Sequence, residues 1–354
     1  MKTMNYRFDL NPLSKELFLR IKHSTLLNRP TLKRAFLFIS ASLVIVFSGY
    51  NGFAQRVPSL AENIEFLSTF SKDAPSSWGD DDNVQVYFVS VSKTSTRPFY
   101  IRVFDADIGG AHDMAKGPFD SQTSFSVYGG NSCYSSKAAK GVNPEKGYDS
   151  GLKIVEKTIG AESTYDNKWM TLGPFNPREG EYDKFMDAYI FKFIIEGQSG
   201  NDGNLYYFFL SSKSESNVEI PGSNAFCYEM SFRVPRVKNK IPHLYPFIDS
   251  EVIKVKIHNF DFDNGGEIRL TSVAKNSHVV KAYGDNNWVT SIHDVESKER
   301  NTSYDINLLD AASFNNDMTI FVTNQYDETL PFFTKPINGV PKYTYSVGVK
   351  YQEK

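Results

Sequence analysis

One short string occurs twice in the chain: Phe104-Asp105-Ala106-Asp107-Ile108-Gly109-Gly110 and Phe260-Asp261-Phe262-Asp263-Asn264-Gly265-Gly266. Each follows an apolar run. In an extended chain alternate side chains share a side, so Asp105 and Asp107 project together. The paired glycines admit positive φ and let carbonyl oxygens turn inward. A hard cation such as calcium requires several oxygens, from carboxylates, carbonyls and water. In the first copy Ala111-His112-Asp113 adds a third carboxylate, so Asp105, Asp107 and Asp113 are the leading calcium candidates. In the second copy Asn264-Gly265 joins two alternating runs and also reads as a hairpin turn, leaving Asp261 and Asp263 as weaker metal candidates. Asp80 and Asp82, in the acidic turn Asp80-Asp81-Asp82-Asn83, are weaker candidates too. Asn201-Asp202-Gly203-Asn204 reads as a further turn.

Other chemistry is sparse. The chain contains no Gly-x-Ser-x-Gly elbow, no His-Glu-x-x-His, no phosphate-cradling loop and no dinucleotide fingerprint. Glu179, Glu181 and Asp183 lie close in sequence; a carboxylate pair can hydrolyse a glycoside, and a surface acidic turn is the alternative. His112 and Asp113 could be a base and its orienter, although adjacent loop residues usually point apart. The five histidines after residue 54 show no zinc spacing. Trp78, Trp169 and Trp288 lie near turns, where a ring can stack on a sugar or pack the core. Cys133 and Cys227 are the only cysteines; they either form a disulfide or remain two buried thiols.

The elements that must position these residues are strands. From Val84 onward apolar residues alternate with polar ones in short runs, around Phe99–Phe104, 188–196, 205–212 and 226–234, separated by Gly, Pro, Asn and Asp clusters. Before them, Ile64, Leu67 and Phe70 are spaced for one face of a short helix within 61–71. Pro235, Pro242 and Pro246 punctuate a basic stretch that reads as a linker. Seven short strands follow it, the count of an immunoglobulin-like sandwich. The expected fold is all-β: two tandem β-sandwich domains, the second immunoglobulin-like, after an N-terminal signal peptide. The divisions fall at 1–54 (signal peptide with a long basic n-region), 55–77 (N-terminal segment), 78–235 (first sandwich), 236–248 (linker) and 249–354 (immunoglobulin-like sandwich).

The signal reading rests on an uncharged apolar stretch at 35–47, Lys33-Arg34 before it and Gly52-Phe53-Ala54 after it. The apolar core falls short of the roughly 20 residues of a membrane span, so no span is expected after cleavage. The 354 residues carry 39 Lys and Arg against 41 Asp and Glu. Beyond residue 54 the balance becomes 31 against 39, a net −8. An acidic chain lacks the basic face that a nucleic-acid binder needs. With 40% hydrophobic and 14% aromatic residues, disorder is excluded as well.

Three resemblances add to this reading. The Gly-Phe-Ala-Gln ending resembles signal peptides of exported Bacteroidota proteins, which implies the periplasm or cell exterior of a Gram-negative bacterium. Tyr100 to Asp107 with Asp113 resembles the ion-binding loop of synaptotagmin-type calcium and lipid-binding domains, which implies that Asp105, Asp107 and Asp113 are ligands. Val255-Lys256-Ile257, Asp263 to Leu270 and Met318 to Asn324 resemble immunoglobulin-like modules of exported Bacteroidota envelope proteins, which implies a spacer or adhesive unit. The expected function is an exported, non-catalytic binding or scaffold protein of the cell envelope, calcium-dependent through the first acidic loop, with an envelope protein or glycan as partner. The alternatives are a carbohydrate-active hydrolase with an accessory sandwich, and a purely structural envelope subunit.

Overall fold

Antiparallel sheets dominate the computed structural model, which describes residues 55–345 except 145, 236–239, 263–265, 281–283, 285 and 310–315. Residues 1–54, expected as a signal peptide, and Asp263 lie outside the described residues. The all-β expectation holds: among the described residues the only helical turns are short 3₁₀ pieces such as Leu60–Glu62. No helix among them is long and apolar enough to cross a membrane.

The largest sheet runs Trp288–Asp294, Lys254–Phe260, Asn316–Thr323, Glu229–Val234, Leu67–Phe70, Gly203–Ser211, Phe99–Phe104, Trp169–Phe175. A second sheet runs Phe332–Phe333, Asn224–Cys227, Val84–Ser92, Ala188–Ser199, Gln122–Gly129, Leu152–Ile159. A third runs His243–Leu244, Asp305–Leu309, Glu267–Thr271, His278–Val280. The second sheet faces one half of the largest, where Phe208 meets Tyr87 and Phe193 edge-on at 5.4 and 5.1 Å. On the other half, inward Val255, Ile257, Ile320 and Val322 share a buried cluster with Ile268, Leu270, Ile306 and Leu308 of the third sheet. Alternation produces this: Val255 and Ile257 are buried while Lys256 and His258, which follow each of them, are partly exposed.

The two sandwiches share a sheet rather than a linker. Glu229–Val234 pairs with Asn316–Thr323 along its whole length, and Phe333 reaches back to pair with Phe226. The described residues of 55–345 belong to one compact unit with a continuous core. Within the expected linker, His243–Leu244 and Phe247–Ile248 are strands, and Leu244 and Ile248 are fully buried. Proline removes one donor and stiffens the chain, but the residues between prolines still pair.

The segment expected to hold a short helix is also different. Asn63 ends the 3₁₀ turn at φ 56°, and Leu67–Phe70 becomes a central strand, buried on both faces. The spacing of Ile64, Leu67 and Phe70 suits a helix face; a strand covered on both sides satisfies it equally. Cys133 and Cys227 are free, buried thiols. Cys227 packs in the main core and Cys133 in a separate cluster with Tyr128 and Ile194, so no disulfide joins them.

Candidate functional site

Backbone N–H groups, most of them from distant loops, hold the first acidic loop. Asp105 ends its strand at φ 61°, in the left-handed region that Asp and Asn tolerate best. Its Oδ1 accepts the Asn167 N–H at 2.7 Å. Oδ2 of Asp107 accepts the Tyr165 N–H at 2.9 Å. Asp113 takes the N–H groups of Gly109 and Leu205, one on each oxygen, both at 2.7 Å. Asp202 adds a fourth such carboxylate, accepting from Asp120 and Ser121 at 3.0 and 3.1 Å.

The structure therefore brings Asp105, Asp107 and Asp113 together, each accepting from a backbone N–H, while Asp105 Oδ2 is buried without a hydrogen-bond partner. Burial pushes the Asp113 carboxyl well above its usual range, and the Asp105 and Asp107 charges add to this against its two backbone donors. Replacing Asp113 by Ala strips two backbone donors of their acceptor. Leaving such groups unsatisfied costs about 1–3 kcal/mol each, so urea unfolding of Asp113→Ala should show a clear loss, with Asp113→Asn intermediate.

The second copy repeats the same device. Asp261 ends the Lys254–Phe260 strand at φ 57°, and its Oδ1 accepts the Asn286 N–H at 2.6 Å. The two loop asparagines belong to a second repeated string that motif reading missed: Asp166-Asn167-Lys168-Trp169 and Asp285-Asn286-Asn287-Trp288. In each sandwich the Trp stands in register with the Phe preceding the Asp, as Trp169 with Phe104 and Trp288 with Phe260. The signal was present in the sequence as a pair of strings recurring in the same order.

These corners carry half-buried aromatic rings. Tyr207, Phe104 and Trp169 are register neighbours on three adjacent strands and so share one face. Phe104 stacks on Tyr207 at 4.7 Å, and Trp169 stands edge-on to both at 5.4 Å. The Arg102 guanidinium lies 4.8 Å from the Trp169 ring and that of Arg56 3.9 Å from Tyr207. Trp288 packs on Phe260 and Phe321 at 5.3 and 5.0 Å, and its Nε1 donates to Asp81 at 2.7 Å. Trp78 rests against Phe70 at 6.1 Å.

The residues offered for catalysis are engaged elsewhere. Glu181 accepts the N–H groups of Tyr134 and Ser135, Asp183 that of Met186, and Glu179 that of Asn176. His112 reaches Asn167 while Asp113 faces the backbone, so the two do not form a pair. Sequence reading also missed Lys192, a buried lysine lowered by burial to about 8 that donates to Ser150 O and Oγ at 2.6 and 3.1 Å. Ser150 Oγ in turn donates to Ser132 O at 2.8 Å, which directs its proton away from the amine. That arrangement pins a loop.

A different acidic group is less well satisfied. Asp80 is buried; its Oδ2 accepts from Gln85 and Ser231 at 2.8 and 2.9 Å. Glu229 stands nearby, also buried, and burial with the Asp82 and Asp80 charges pushes its carboxyl well above the usual range. Burial pushes Asp82 to about 7. Asp82 Oδ2, Glu229 Oε2 and Asn143 Oδ1 are all buried without a hydrogen-bond partner. No three His, Cys, Asp or Glu side chains among the described residues stand ready as a metal shell. Compared with models of known protein families and with curated proteins, the chain finds no match.

Proposed function

We propose that this protein is an exported, non-catalytic binding or scaffold protein of the cell envelope that docks a glycan on the Tyr207, Phe104 and Trp169 ladder. One observation carries the reading: three rings in register on one sheet face, each partly exposed. The apolar faces of sugars stack on such rings. The engagement of Glu179, Glu181 and Asp183 by backbone donors supports binding over hydrolysis.

The test is co-sedimentation of the protein with insoluble polysaccharides, with and without EDTA, while reducing ends are counted. Retention without release is expected, and Trp169→Ala should weaken it by roughly 30-fold, the scale of a binding hot spot. Loss of retention in EDTA would tie binding to an ion. Release of reducing ends that is lost in Glu181→Gln would instead make the protein a hydrolase. No retention on any polysaccharide would leave the structural-subunit reading.

A further inference from the structure

We propose a calcium site built from Asp82 Oδ2, Glu229 Oε2 and Asn143 Oδ1, distinct from the acidic loop at Asp105. These oxygens come from three separate segments: the turn before Val84–Ser92, the first residue of Glu229–Val234, and the 141–144 loop. Asn143 connects them. Its backbone N–H faces the Glu229 carboxylate, while its side-chain Nδ2 donates to Asp81 Oδ1 at 3.0 Å. With its donors used in this way, its amide oxygen is left buried and without a partner, as are the Asp82 and Glu229 oxygens.

Three buried acceptors without donors are costly, because each has given up water for nothing in return. Glu229 is only 8% exposed, so solvent does not make up the deficit. A water would supply donors, and without an ion the repulsion among Asp80, Asp82 and Glu229 is met by holding protons, as their raised carboxyls show. A divalent cation satisfies the acceptors and offsets the charge together. Beside Glu229 lies a cavity of about 10 Å³, lined also by Val84, Val86, Ala139, Gly141, Pro144 and Tyr228. A space of that size holds about one water or ion.

The donor set is two carboxylates and an amide, all oxygen, with waters to complete the shell. Hard cations take such ligands, and calcium accepts the irregular geometry of loop-built sites better than magnesium does. The site reaches further than its ligands. Asp81, between Asp80 and Asp82, also accepts the Trp288 indole N–H. An ion that orders this turn therefore fixes Asp81 against Trp288, which lies in the other sandwich.

The experiment is a titration of calcium, and separately magnesium, into EDTA-treated protein, read by calorimetry, tryptophan fluorescence and thermal unfolding. Calcium should bind at one equivalent, raise the melting temperature and shift the emission. Glu229→Gln and Asp82→Asn should each weaken binding at least tenfold, whereas Asp105→Asn should not. Each variant removes one charge from the group, so in EDTA it should melt no lower than wild type, which shows that it folds. Absence of heat and of any melting shift with millimolar calcium would overturn the proposal. So would binding that survives both variants, or that prefers magnesium. The outcome does not depend on glycan docking, since no polysaccharide is present.

Discussion

Cut at the proline-punctuated stretch, the chain should leave neither half folded. Residues 55–235 and 249–354 correspond to the two sandwiches, but the first half alone loses the strand opposite Glu229–Val234 and the Phe332–Phe333 strand beside Asn224–Cys227. Met230, Phe232 and Phe226, all buried in the whole chain, would lose cover on that side. Burying one such side chain stabilises by about 1.5–3 kcal/mol, and a whole domain is stable by only about 5–15 kcal/mol. The second half loses His243–Leu244 and Phe247–Ile248, which complete its sheets. Circular dichroism and size exclusion should find aggregated or unfolded fragments, while residues 55–354 unfold in a single transition. A cooperative melt of the isolated 55–235 fragment would show two independent sandwiches instead.

Arg233→Met is the second large effect. Arg233 and Asp317 stand directly opposite one another on the shared strand pair. The guanidinium grips the carboxylate with two hydrogen bonds, Nε to Oδ1 at 3.0 Å and a terminal nitrogen to Oδ2 at 2.9 Å. A third bond runs to His112 O at 2.9 Å, so one side chain ties the acidic loop to the seam between the sandwiches. The Asp317 side chain is 1% exposed. Methionine fills similar volume but leaves that charge without its guanidinium. Breaking a buried pair on one side costs about 3–5 kcal/mol, so the urea midpoint should fall sharply. Arg233→Lys should recover only part of the loss, because an ammonium is a point charge and cannot make the paired fork. A midpoint unchanged in Arg233→Met would mean that water already solvates this pair.

Much of the strand content was legible. Phe99–Phe104 and Lys254–Phe260 alternate apolar and polar residues, and a half-buried strand needs no more than that. Leu67–Phe70 was not legible, because a central strand covered on both faces loses its alternation and its apolar spacing matches a helix. The strands His243–Leu244 and Phe247–Ile248 were hidden by the prolines beside them, which mark a loop only when no neighbouring strand takes up the remaining donors.

The acidic residues show the same division. Paired aspartates at strand ends, followed by glycines, suggest convergent carboxylates, and Asp113 lies within the field of Asp105 and Asp107, although Asp105 at φ 61° breaks the extended alternation. What those carboxylates face is decided by loops far away in sequence: Asn167 and Tyr165 for two of them, Leu205 for the third. Glu229 carried no signal, since a lone acid at the start of a strand resembles any solvated one. It is the pairing of its strand with Asn316–Thr323, and the approach of Asn143, that bury it beside Asp80 and Asp82. The sequence by itself determined the β-class, the two repeated corner strings and the acidic turns, because period, turn chemistry and charge are local properties. Only the tertiary structure decided that the two blocks share one sheet and which carboxylates are left without donors, because strand partners and burial depend on segments that meet across the whole chain.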